Sequence, residues 1–98
     1  MNSDASKRLI RALTVYFGPL SGIDHRTCKW SSATFSGTRH ALWFDMAVRD
    51  DLDDLLQNLA EADLPMPGHF VADIEIAERH DHTDGYRIGL RVLTIAEA

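Results

Sequence analysis

The sequence predicts an α+β fold: a two-layer sandwich of element order α-β-β-α-β-β, in which a four-stranded antiparallel sheet carries two helices on one face. Three observations lead there. Two segments repeat apolar residues at helical spacing, three shorter ones alternate in the manner of strands with a further strand inferred before the first turn, and turn-forming residues separate the members of each strand pair. Two amphipathic helices and two hairpins, each with one apolar face, bury those faces most economically against each other as two layers. The strand order is not written in any pattern of the chain. At 98 residues, 45% hydrophobic and 26% charged, the chain has the material for one core, so a single domain over 1–98 is expected.

The first helix is read over Asp4–Phe17. Leu9, Leu13, Tyr16 and Phe17 recur on one side, with Ile10 and Ala12 beside them, while Lys7, Arg8 and Arg11 lie on the other. Ser3 is the expected N-cap, Asp4 suits the positive end of the helix dipole, and Gly18-Pro19 ends the helix.

A first hairpin is expected from Cys28 to Val48. In its second strand His40, Leu42, Phe44, Met46 and Val48 point one way, and Arg39, Ala41, Trp43, Asp45 and Ala47 the other. A two-residue Ser36-Gly37 turn would set Trp30 opposite Trp43. A three-residue turn over Ser36-Gly37-Thr38 sets Trp30 opposite Phe44 and Cys28 opposite Met46, and burial favours it, because a slip of one residue moves a whole strand's side chains to the other face. Cys28, Trp30, Leu42, Phe44, Met46 and Val48 are therefore expected in the core, with Gly37 at positive φ.

A second helix is read from about Asp51 to Ala62, with Leu52, Leu55, Leu56 and Leu59 on one face, Asp50 as N-cap, and Pro65 and Pro67 ending it. A third strand follows, in which Phe70, Ala72, Ile74 and Ile76 share a face opposite Asp73 and Glu75. Asp84-Gly85 marks the next turn. The fourth strand runs from Tyr86 to about Ile95, with Tyr86, Ile88, Leu90 and Val92 inward and Arg87, Gly89, Arg91, Leu93 and Ile95 outward.

The function must fit this frame. A formal charge of −5 with acids outnumbering bases fifteen to ten argues against a nucleic-acid partner, since phosphates are bound by clustered Lys and Arg. No apolar run reaches the ~18 residues that span a bilayer. One cysteine forms no internal disulfide, and with no secretion signal at the N-terminus a reducing cytoplasm is the expected compartment.

No motif with a known mechanism stands at adequate spacing, and no cofactor is expected. His80 and His82 are the densest metal-ligand candidates, yet a solvated turn explains them and His69 is too far along the strand to help, so no metal centre is expected. The acids at Asp50, Asp51, Asp53 and Asp54 divide between two helix faces, and the helix dipole accounts for them. Cys28 reads as a buried, inert thiol.

The strongest functional signal is the sheet face away from the helices. Among its polar residues it would carry Ala41, Trp43, Val71, Leu93 and Ile95, more apolar surface than a lone domain exposes, with Arg39 and Arg91 at its rim. The expected function is a cytoplasmic binding or interaction module, homodimeric through that face, with a protein or small-molecule partner. The alternative is a small cofactor-independent oligomeric enzyme of isomerase, hydratase or lyase type, using His40 with a carboxylate from Asp45 or Asp73.

Overall fold

The computed structural model describes residues 4–97; Ser3 lies outside them. The chain forms α1 (Asp4–Phe17), β1 (Ser21–Ser31), β2 (Ser36–Ala47), α2 (Leu52–Asn58), a 3-10 turn (Leu59–Glu61), β3 (His69–His82) and β4 (Gly85–Ala96). The sheet is antiparallel throughout, in the order β1-β2-β4-β3. This is the α+β class and element order that the periodicities predict. The central strands are the two with the clearest apolar alternation.

Helix α1 buries Ala5, Leu9, Ala12, Leu13 and Phe17 and stops where Gly18 takes φ 88°, its N–H bonded to the Thr14 carbonyl at 2.8 Å. Arg49 donates to the Phe17 carbonyl and forms a two-pronged pair with Asp51. The guanidinium thus closes the C-terminal end of α1 and holds the Asp51 carboxyl below its ordinary titration range. The N-cap position of α2 is Asp51 rather than Asp50, and its side chain, engaged with Arg49, makes no cap hydrogen bond. Leu52, Leu56 and Leu59 are buried. The last turn of the predicted helix tightens to 3-10 geometry, and Pro67-Gly68, with Gly68 at φ 78°, turns the chain into β3.

One buried cluster joins Leu9, Leu13 and Phe17 of α1 and Leu52 and Leu56 of α2 to Leu42, Phe44, Ile88, Leu90 and Val92 of the sheet. Both helices therefore lie against the even-numbered side of β2 and β4. Phe17 meets Phe44 at 5.5 Å between ring centroids, and the Tyr16 hydroxyl donates to the Leu55 carbonyl at 2.6 Å. Among the described residues no helix is long and apolar enough to cross a membrane.

The first hairpin turns earlier than the sequence suggests. Ser31 pairs with Ser36, so the loop is Ser32–Phe35; Trp30 pairs with Gly37 and Cys28 with Arg39. This register puts Cys28 and Trp30 on the side away from the helices, and Cys28 is exposed. β1 is an edge strand with no buried residue; without a buried face to hold it, two apolar side chains did not decide its register. Gly37 is in β2 and not at positive φ. Val48 lies past the end of β2 and is 55% exposed, because the chain has already turned toward α2.

β3 also departs from simple alternation. Register shifts fall between Val71 and Asp73 and between Ile76 and Glu78. Each is a bulge that inserts one residue and reverses the alternation. Phe70 and Ala72 are therefore not inward partners of Ile74: Phe70 pairs with Ile95 on the open side, while Val71 pairs with Thr94 and packs against the core. The bulge at Ala72 is also what turns Asp73 outward.

Candidate functional site

Residues directly opposite one another in neighbouring antiparallel strands share a face, so the pairings define rungs that cross the sheet. On the open side one rung is Cys28–Arg39–Leu93–Asp73, and the next is Arg26–Ala41–Arg91–Glu75. Together these eight residues line a trough of about 330 Å³, which Thr27, His40 and Val92 of the rung between them also border. Ala41 is the smallest side chain of the eight; it leaves a gap between the Arg26, Arg39 and Arg91 stems. The two β3 bulges bracket the stretch that supplies Asp73 and Glu75, and bulges of this kind bend a strand and re-aim its side chains.

The rungs on either side explain why the depression is bounded. Beyond Arg39 lies Trp30–Gly37–Ile95–Phe70, and beyond Ala41 lies Asp24–Trp43–Gly89–Glu78. Each has a central glycine under a large neighbour. A Cβ on Gly89 would come within 2.6 Å of Trp43 Nε1, and one on Gly37 within 2.9 Å of Ile95 Cδ1. Trp43 and Ile95 thus fold down onto glycines. Trp43 is half-buried and Ile95 only 4% exposed, which shrinks the apolar patch that the sequence suggests. Of the other surface candidates, Ala41, Leu93, Arg39 and Arg91 line the trough, while Val71 is on the helix side.

The charges around the trough are unevenly matched. Arg91 Nε pairs with Glu75 Oε1 at 2.9 Å. Among the described residues, Arg26, Arg39 and Asp73 have no side-chain hydrogen bond or ion pair. Asp45 is engaged elsewhere, accepting from Arg87 Nη1 at 2.9 Å.

His40 occupies the other side of the sheet. It is 3% exposed, with Nδ1 2.9 Å from His25 Nε2 and Nε2 2.8 Å from Thr94 Oγ1. Thr94 Oγ1 in turn reaches the Thr38 carbonyl at 3.5 Å. One directional chain satisfies all these contacts: His25 Nε2–H donates to His40 Nδ1, His40 Nε2–H to Thr94, and the Thr94 hydroxyl to the Thr38 carbonyl, with both rings neutral. Burial first, then repulsion from His25 and His69, pushes the His40 pKa down to about 4; burial lowers that of His25 as well. Asp45 and Asp73, the carboxylates paired with His40 in the enzymatic reading, project from the opposite side, so these three groups do not converge. His80 and His82 share the open side at the far end of the β3–β4 hairpin, His80 beside Glu78 at 3.3 Å. Among the described residues no three His, Cys, Asp or Glu side chains are grouped to hold a metal ion.

Sequence reasoning placed Arg39, Ala41, Asp73, Glu75, Arg91 and Leu93 on the open side and missed Arg26 and Cys28. The available signal was the alternation Arg26, Cys28, Trp30 in a segment polar on both faces, the mark of an edge strand. Comparison with family models, with curated proteins and with solved structures finds no match for this chain.

Proposed function

We propose that this domain is a small-ligand-binding module whose recognition site is the trough on the open side of the sheet. One observation carries the reading: two adjacent rungs from all four strands converge around Ala41 on a depression of about 330 Å³, a size within the usual range of ligand sites. A rigid sheet supplies the walls, and polar side chains with an apolar floor supply orientation and contact area. Filling the floor is the test. In an amide-resolved NMR screen of small carboxylates, amines and neutral aromatics, fragments that bind should move the amides of Arg39, Ala41 and Leu93, and Ala41→Leu should abolish those shifts while the rest of the spectrum stays in place. Binding that survives Ala41→Leu would remove the trough as the site.

A two-fold homodimer through the same face is the second reading, supported by Leu93, which lines the trough, and by Trp43 on the rung beside it, both only half-buried in the single chain. It requires the wild-type protein to sediment as a dimer and Trp43→Glu as a monomer. A monomeric wild type would eliminate it.

A further inference from the structure

Given that the trough is a ligand site, its charges define what the ligand must look like. Arg91 and Glu75 answer each other across one rung. What remains is Arg26 and Arg39 on the β1–β2 side and Asp73 on the β3 side, none of them with an ion-pair partner among the described residues. The two arginines are diagonal neighbours on adjacent strands and repel each other. They do so in a protein whose formal charge is −5. A carboxylate bridging the two guanidiniums removes that repulsion and accepts charge-assisted hydrogen bonds from both.

A simple anion would still face Asp73 at the other end of the Arg39 rung. Arg39 and Asp73 are separated by two inter-strand steps, roughly 10 Å between their backbones, with the Leu93 side chain between them and Ala41 alongside. An ammonium at the far end of the ligand turns this repulsion into attraction, and a short methylene chain suits the floor.

We propose that the trough takes a dipolar organic ligand of the ω-amino acid class: its carboxylate held by Arg26 and Arg39, its ammonium by Asp73, and its apolar chain lying over Ala41 and Leu93. Cys28 completes the Arg39 rung as an exposed thiol, so occupancy should also shield it from a neutral alkylating reagent.

The probes are ε-aminocaproate, caproate, hexylamine, hexanol and inorganic phosphate, titrated into the full chain by amide-resolved NMR, with Arg39→Gln and Asp73→Asn as variants. Both positions are exposed, and the dispersion of each spectrum reports whether the variant is folded. ε-Aminocaproate should saturate the shifts at Ala41 and Leu93 at about fivefold lower concentration than caproate or hexylamine, the advantage that one exposed ion pair supports. Arg39→Gln should lower its affinity to that of hexylamine, and Asp73→Asn to that of caproate. Bound ε-aminocaproate should also slow alkylation of Cys28 in the unsubstituted protein. Equal affinity for ε-aminocaproate and caproate, or preferential binding of hexanol, hexylamine or phosphate at the same amides, would overturn the dipolar ligand and leave the trough reading intact. No shift at Ala41 and Leu93 with any probe would overturn both.

Discussion

The two hairpins of this sheet are built from similar lengths of chain and differ in what holds them. In β3–β4 the inner strand buries Ile88, Leu90, Val92, Thr94 and Ile95, and the turn falls at Thr83-Asp84, where His82 pairs with Gly85. In β1–β2 the outer strand has no fully buried residue, only the half-buried His25 and Trp30, and the turn is a four-residue loop without glycine, closed by Ser32 N–H to the Phe35 carbonyl at 2.8 Å. Burial therefore holds one hairpin in register from both strands, while in the first it acts chiefly through β2, with Arg87 of β4 also donating to the Gly22 carbonyl of β1 at 3.2 Å. The register of β1 on β2 places Arg26 and Cys28 on the open side. The strand that contributes least to the core contributes one wall of the trough.

The contrast gives an ordered set of expectations. Truncation in the second hairpin should cost most: Leu90→Ala removes a side chain that is 1% exposed and should destabilise by about 3 kcal/mol in urea unfolding. Trp30→Ala, in β1, should cost less than about 1 kcal/mol although it removes more atoms. Equal costs would break the comparison.

The seam between the hairpins comes next. His40 of β2 bridges His25 of β1 and Thr94 of β4. Its folded pKa lies below its unfolded one: above pH 6.5 it is neutral in both states, whereas between pH 6.5 and about 4 the unfolded chain takes up a proton that the folded protein refuses. Stability should therefore be complete above pH 6.5 and fall as the pH drops through that window, by up to about 3 kcal/mol at its lower end, with His25 acting in the same direction. His40→Gln should flatten the slope. A slope unchanged in that variant would assign the loss to other groups. The smallest effect is expected at Cys28: Cys28→Ser should alter stability by no more than ~0.5 kcal/mol, as for a surface position.

This contrast also explains what could be read from the chain alone. The helices, the inward set Leu42, Phe44, Met46, Ile88, Leu90 and Val92, and most of the open side were legible because burial imposes a period on them. The β3 bulges were not, since Val71-Ala72-Asp73 carries no local signal for an extra residue, and Val71 was placed on the wrong side as a result. The register of β1 is not legible either, because Cys28 and Trp30 resemble core residues by type while lying on an edge strand. The trough itself depends on pairings between β2 and β4, which are separated in the chain by α2 and β3, and no local pattern encodes such a partnership. Trp43 and Ile95 were identified as apolar and outward, but the glycines that receive them, Gly89 and Gly37, become meaningful only once the register is known.

The trough depends equally on the pairing of β1 with β2. Cross-strand nuclear Overhauser contacts measure it directly. Contacts joining Cys28 to Arg39 and Thr27 to His40 are expected; contacts joining Cys28 to Met46 and Trp30 to Phe44 would return Cys28 to the core side, dismantle both rungs and contradict the trough.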